Sequence, residues 1–166
     1  IDHMFHDGLQ SPWDGKSMGC FADTTSEKYG FTRADQDDYA TVSVQRAQRA
    51  VKEGDFQAEI APVTVTTRKS ENVVATDETP FGVDIGRIPH LKPAFDANGT
   101  VTAASSSSIS DGAAAIVIAS AAFAAEHGLK PIARILAYSS HAQAPEWFTT
   151  APAPAIRKAI EGAGWN

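Results

Sequence analysis

The sequence predicts a layered α/β protein with a loop-rich α+β insertion, and three observations support this fold class. The second half of the chain alternates strand, helix, strand and helix, an order that implies parallel strand pairing. Residues 69–98 are so dense in proline and glycine that no core element fits there, and a long loop is expected. The composition changes near Gly99, from a polar, irregular part to a compact part rich in small and apolar residues.

Two helices of the first half are predicted from the residues that begin and end them. A short helix is expected over residues 22–29, because Gly30 follows as a stop signal. A longer helix of about six turns is expected after Thr32, which can act as its N-cap. Asp35 lies three residues later and can complete a capping box, and Gly54 ends the helix. The apolar residues between them recur near helical spacing, so the helix should be amphipathic.

Three segments are predicted to be strands. Residues 59–68 alternate with a period of two and are rich in β-branched side chains. Residues 113–119 form a continuous apolar run, which is typical of a strand buried on both faces. Residues 132–138 are expected to form the third strand.

Two further helices separate and follow the last two strands. Ser120 can cap a short helix that runs through His127 and closes at Gly128. The last helix opens at Pro152, since proline is well suited to the first turn of a helix. It carries its apolar residues on one face and ends at the glycines that follow.

The composition weighs against several classes of function. The formal net charge is -6, from 14 basic and 20 acidic residues, and no cluster of lysines and arginines suits a nucleic acid backbone. The longest apolar run, residues 113–119, is far shorter than a membrane-spanning helix of about 20 residues. The single cysteine, Cys20, cannot form an internal disulfide, which fits a reducing compartment, and a cytoplasmic location is expected.

The residues that usually carry chemistry give weak signals on their own. Cys20 has no histidine near it in sequence, and although a helix begins close by, an inert thiol is the expected state. His3 and His6 have a spacing that a metal site could use, but two histidines in a loop do not predict one. No metal site is therefore expected.

The serine run 105–108 allows two interpretations. It lacks the Gly-x-Ser-x-Gly pattern that exposes a nucleophilic serine in hydrolases. Small side chains here either let a ligand approach the backbone closely or let one chain segment pack on another. The residues alone do not favour one over the other.

Several short motifs, in order along the whole chain, resemble one enzyme family. Residues 99–103 (GTVTA) and 111–115 (DGAAA) resemble the segment of the thiolases that returns to the core after a long loop domain. Residues 32–38 (TRADQDD) and 152–159 (PAPAIRKA) are similar to the same family at compatible spacing. Further matches lie at residues 7–9, 18–19, 54–63, 91–95 and 163–165.

This resemblance implies a domain organisation. Residues 1–98 would be the loop domain that covers coenzyme A. Residues 99–128 would complete the N-terminal core domain, and residues 129–166 would begin the C-terminal domain. The fold class is then a partial thiolase-like layered α/β fold.

The resemblance also implies a binding role for six residues. The family positions that line the pantetheine tunnel of coenzyme A correspond here to Leu9, Met18, Phe95, Ala103, Ser107 and, near the acyl group, Phe148. An apolar tunnel would exclude water around a thioester, and small residues would let the pantetheine arm lie against the backbone. The usual Gly-Asn-Ala-Ser-Gly run reads ASSSS at residues 104–108, which keeps the serine at 107 and loses the asparagine.

The implied activity is acyl transfer between a cysteine and coenzyme A, as in an acetyl-CoA acetyltransferase of fatty acid metabolism. The catalytic cysteines and histidine of the family have no counterpart in residues 1–166, so this chain alone is expected to be inactive. Coenzyme A is a substrate, no cofactor is implied, and a homo-oligomer, dimer or tetramer, is expected for the full-length protein. The alternatives are a non-catalytic thiolase-like protein that binds acyl-CoA or lipid, and a stand-alone binding module.

Overall fold

The computed structural model describes residues 1–165, and the chain divides into two compact units. The first unit is Ile1–Ser107 and the second is Ser108–Asn166. Within the described residues, no helix combines the length and apolar content needed to cross a membrane.

The first unit opens with a π-helical turn, Met4–Leu9, and then a helix, α1, at Met18–Tyr29. Helix α1 ends at Gly30 as predicted, with a φ of 68° that favours glycine. It begins one turn earlier than expected, because the amide of Cys20 already donates to the carbonyl of Ser17 at 3.0 Å.

The second helix, α2, spans Arg33–Glu53 and confirms the predicted end signals. The hydroxyl of Thr32 accepts from the amide of Asp35 at 3.1 Å, and the Asp35 carboxylate accepts from the amide of Thr32 at 2.9 Å. Gly54 closes the helix with a φ of 76°. Local hydrogen bonds therefore define both ends of α2.

An antiparallel hairpin follows, made of β1 (Val63–Thr66) and β2 (Glu71–Val74). Strand β1 confirms the predicted strand at residues 59–68, in shorter form. Strand β2 lies in the segment 69–98 that was expected to be a loop, which also contains 3-10 turns at Thr79–Phe81 and Ile85–His90. The expectation was wrong for β2 because its sequence, ENVV, lacks polar–apolar alternation, and pairing with β1 provides its hydrogen bonds instead.

Some of the buried side chains of the first unit, among them Asp37 and Ile88, lie where α2 meets the turn at Ile85–His90. Ile88 is 0% exposed, and the carbonyl groups around it accept hydrogen bonds from one arginine. Nη2 of Arg33 donates to the oxygen of Ile88 at 3.1 Å and to that of Leu91 at 2.8 Å. Nε of Arg33 also pairs with the buried carboxylate of Asp37 at 2.8 Å. The arginine thus fixes the segment that leads to residues 93–95.

The second unit contains a short helix, α3, at Ala121–Glu126 and a longer one, α4, at Pro152–Gly162. Both confirm their predicted positions. The hydroxyl of Ser120 caps α3 by accepting from the amide of Phe123 at 3.1 Å. A 3-10 turn, Pro145–Thr150, precedes α4.

The two strands predicted in the second unit, residues 113–119 and 132–138, are not formed among the described residues. Both segments are exposed, with Ile116 at 85% and Ile132 at 104%. A β-strand is stable only when a neighbouring strand takes up its amide and carbonyl groups, and the described chain offers these segments no such neighbour. The expected burial of residues 113–119 on both faces is therefore wrong for this chain.

Candidate functional site

The leading segment of the chain turns back so that Leu9 and Met18 lie on adjoining strands of backbone. Gln10 and Ser17 form an antiparallel bridge, and the amide of Ser11 donates to the carbonyl of Lys16 at 2.8 Å. Leu9 precedes this bridge and Met18 follows it, and both are half-buried. The turn therefore brings together two residues that are separated by nine positions in the sequence.

The tip of this turn holds an ionised carboxylate. A hydrogen bond from the Ser11 side chain, helped by the amide and charge of Lys16, lowers the pKa of Asp14. The Nζ of Lys16 lies 3.4 Å from Oδ2 of Asp14. These contacts stabilise the turn between Leu9 and Met18.

A second backbone pairing determines the position of Phe95. Pro93 and Thr102 form an antiparallel bridge, and the amide of Ala94 donates to the carbonyl of Val101 at 2.9 Å. Phe95 follows directly, so its position depends on the segment at residues 101–102.

The ring of Phe95 lies against the backbone of Gly19, in the first turn of α1. It occupies the space that a Cβ atom at position 19 would need. Gly19 is buried and adjoins Met18. A glycine is therefore required for the aromatic ring to reach the helix, and the contact brings Phe95 next to the predicted site residue Met18.

A 3-10 turn at Ala103–Ser105 begins the small-residue run. Thr102 is 0% exposed, and its hydroxyl accepts from the amide of Ala104 at 3.2 Å. The amide of Thr102 in turn donates to Oγ of Ser105 at 3.0 Å, which completes a capping box. Oγ of Ser106 donates to the carbonyl of Thr102 at 2.8 Å. The backbone that leads to Ser107 is thus fixed by its own hydroxyls.

One carboxylate that the sequence analysis missed connects these pieces. Oδ1 of Asp23, on α1, accepts hydrogen bonds from the amides of Thr100 at 2.8 Å and Val101 at 2.9 Å. An aspartate within a helix usually indicates an exposed position, so nothing in the sequence signalled this contact across 77 and 78 positions. It joins the helix that begins at Met18 to the segment that begins the run 103–107.

The structure therefore links four of the six predicted site residues through neighbouring backbone: Leu9, Met18, Phe95 and Ala103. Ser107 is exposed at the end of the first unit. Phe148 lies in the second unit, in the turn at Pro145–Thr150, and is 41% exposed. The four linked side chains are apolar, which suits an extended, uncharged ligand arm.

The thiol of Cys20 and the imidazoles of His3 and His6 lie in different environments. Cys20 is half-buried, and its Sγ lies 3.3 Å from the hydroxyl of Ser17. His3 and His6 are exposed. Across residues 1–165, no three histidine, cysteine or carboxylate side chains come together in a group that could hold a metal ion.

Comparison with known proteins identifies the family. The model of "Thiolase, N-terminal domain" matches residues 1–122. The chain is 45% identical to a protein of Dictyostelium discoideum named "Probable acetyl-CoA acetyltransferase", over 100% of this chain and 40% of the relative. It is 41% identical to the acetyl-CoA acetyltransferase of Paracoccus denitrificans, over 100% of this chain and 43% of that protein.

A solved structure supports the same conclusion. The chain superimposes on the acetyl-CoA acetyltransferase of Bacillus anthracis with a TM-score of 0.87 and 37% identity, covering 99% of this chain and 42% of that one. This likeness confirms the predicted thiolase-like α/β fold. The chain spans about two fifths of the length of the relatives that it matches. On the evidence of the matched domain, the sequence identity and the shared fold, the chain belongs to the thiolase family.

Proposed function

We propose that this chain is part of an acetyl-CoA acetyltransferase in which it supplies the wall of the tunnel for the pantetheine arm of coenzyme A. The parent enzyme transfers an acyl group between a cysteine and coenzyme A. The observation that carries the proposal is the contact between Phe95 and Gly19, beside Met18. It supports an apolar, glycine-lined surface of the kind that shelters a thioester from water.

The roles of the remaining residues follow from the same proposal. Leu9, Ala103 and Ser107 extend the wall along the pantetheine arm, and Phe148 lies near the acyl group. The domains are residues 1–98 for the cover over coenzyme A, 99–128 for the end of the N-terminal core and 129–166 for the start of the C-terminal domain. The nucleophilic and acid–base groups come from outside residues 1–166, and the parent protein is a cytoplasmic homo-oligomer.

The first experiment tests the activity. The full-length protein should cleave acetoacetyl-CoA in the presence of coenzyme A, measured by the loss of the substrate's ultraviolet absorbance. The purified 166-residue chain should show none, because it lacks the acyl-accepting cysteine. Turnover by the chain alone, or none by the full-length protein, would contradict the proposal.

The second experiment tests the wall. Ser107→Trp in the full-length protein should raise the KM for coenzyme A by at least about tenfold, since a bulky ring would fill the space for the arm. Ser43→Trp is the matched control, because Ser43 is exposed on α2 and has no proposed role. Equal KM values for both variants would show that Ser107 does not line the tunnel.

A further inference from the structure

Asp23 has an arrangement that the proposed function does not explain. Its carboxylate accepts two hydrogen bonds through a single oxygen, Oδ1, from the consecutive amides of Thr100 and Val101. Acceptance of two adjacent amides by one carboxylate oxygen fixes the direction of the backbone as well as its distance. Asp23 therefore controls how the segment at residues 100–101 lies on α1.

The other side of that segment is also held. Nε2 of Gln36, on α2, donates to Oγ1 of Thr100 at 2.8 Å. The carbonyl of Val101 accepts from the amide of Ala94, one residue before Phe95. The segment thus lies between two helices, and it passes its position on to the aromatic ring that contacts Gly19.

Gly99 shows how closely the carboxylate and the chain approach each other. A Cβ atom built at Gly99 would collide with the carboxylate carbon and both oxygens of Asp23. The φ of Gly99 does not lie in the left-handed region, so the need for glycine comes from this close approach. Any side chain at position 99 would push the segment away from α1.

The second oxygen, Oδ2, is shielded from solvent and has no hydrogen-bond partner within residues 1–165. A carboxylate with an unsatisfied, buried oxygen is costly to retain for stability alone. It is better explained by a requirement for the position of the segment that it holds.

We propose that Asp23 is a positioning residue for coenzyme A: it holds residues 100–101 against α1 and so sets the spacing between Met18 and the run that contains Ala103 and Ser107. This inference rests on the proposed function. Asp23 touches no reacting atom in this role. Its loss should therefore change the affinity for coenzyme A and leave the chemical step unchanged.

The test uses the full-length protein with Asp23→Ala. The KM for coenzyme A should rise by about tenfold, with kcat within about twofold of the unaltered protein, because the lost hydrogen bonds act on binding geometry. Asp23→Asn keeps an oxygen that can accept hydrogen bonds from both amides, so its KM should lie close to that of the unaltered protein. Glu27→Ala is the matched control, since Glu27 is an exposed carboxylate on the same helix.

Gly99→Ala provides a second variant that keeps the carboxylate and displaces the segment. It should also raise the KM for coenzyme A. The double variant Asp23→Ala/Gly99→Ala should have a KM no higher than that of Asp23→Ala, because the collision between the two side chains then disappears. Additive effects would overturn the inference. So would an unchanged KM in Asp23→Ala, or a fall in kcat without a change in KM.

Amide hydrogen exchange separates this inference from the proposed function. In Asp23→Ala the amides of Thr100 and Val101 should exchange faster than in Glu27→Ala, whatever the protein binds. If the unaltered protein neither turns over nor binds coenzyme A, the proposed function fails even when the exchange result holds. If it binds coenzyme A and exchange at residues 100–101 is unchanged in Asp23→Ala, only the role of Asp23 fails.

Discussion

The two units of the chain differ in how far their apolar residues are covered. In the first unit, Phe21, Ala40, Ile88 and Val101 are buried, together with four polar side chains. In the second unit, the only buried apolar side chain among the described residues is Ala124. Segments with equally apolar sequences, such as residues 113–119, remain exposed there. Apolar sequence therefore predicts a need for burial, and a partner surface decides whether that need is met.

The two units also differ in whether their elements depend on local or on non-local hydrogen bonds. Helices α3 and α4 form in the second unit because hydrogen bonds within each helix satisfy their backbone, and Ser120 also caps α3. The two predicted strands do not form, because each strand depends on another segment for every backbone hydrogen bond. The first unit has both kinds of contact, and the hairpin β1–β2 forms because its two strands adjoin in sequence.

The largest expected effect compares the same substitution in the two units. Ile88→Ala should lower the free energy of unfolding by about 3 kcal/mol, because it opens a cavity in a fully buried site. Ile116→Ala should change it by less than about 0.5 kcal/mol, because that side chain is already in water. Urea denaturation of the 166-residue chain, followed by circular dichroism, measures both free energies. Similar losses would mean that the second unit has a core of its own.

The next effect compares two ion pairs on α2. Arg33→Ala should lower the free energy of unfolding by about 2 kcal/mol. It leaves the nearly buried carboxylate of Asp37 without its cation, and it removes the hydrogen bonds to the carbonyls of residues 88 and 91. Arg49→Ala removes an exposed pair with Glu53, at 3.6 Å, and should cost no more than about 0.5 kcal/mol. The same denaturation experiment applies. If Arg49→Ala costs as much, helix charge rather than the buried pair accounts for the loss.

A third effect tests the uncovered run directly. In the isolated 166-residue chain, Val117→Lys should raise the concentration at which the chain self-associates by about tenfold, or about 1.4 kcal/mol. Val117 is 97% exposed within an uncharged β-branched segment, which is the composition that favours strand pairing between chains. Val42→Lys adds the same charge to an exposed face of α2, where the backbone is already satisfied. Light scattering should show no comparable change there.

The smallest effect contrasts the caps of α2 and α3 as the pH falls. Hydrogen bonds from the hydroxyl and amide of Thr32 lower the pKa of Asp35 below its ordinary value of 3.8. A lowered pKa means that the contribution to stability is complete above 3.8 and is lost as the pH falls through the folded-state value. In nuclear magnetic resonance spectra, the chemical shift of the Asp35 amide should then move toward the value of an uncapped residue. The signal of Phe123, capped by a serine without a titrating partner, should not move over the same range.

These contrasts also explain how much the sequence could predict. The capping box at Thr32 and the glycine stops were predictable because each is a contact between residues a few positions apart. Strand β2 was missed because its hydrogen bonds depend on β1 rather than on its own sequence pattern. The strands at residues 113–119 and 132–138 were predicted from hydrophobicity, which does not specify the partner that a strand requires.

The candidate site shows the same limit. Its residues were named from a family resemblance, and the structure adds the bridges that bring Leu9, Met18, Phe95 and Ala103 to neighbouring backbone. The contacts of Asp23 could not be read from the sequence, because they join positions far apart in the chain. The placement of all six residues on a ligand stays a prediction.

The packing of Phe95 on Gly19 has a consequence for how this protein can vary during evolution. A methyl group at position 19 and a ring at position 95 exclude one another, so neither can change in size without regard to the other. Homologues that carry alanine at the first position should carry a smaller, non-aromatic residue at the second. The two positions should consequently be inherited as a pair, although 76 residues of sequence separate them.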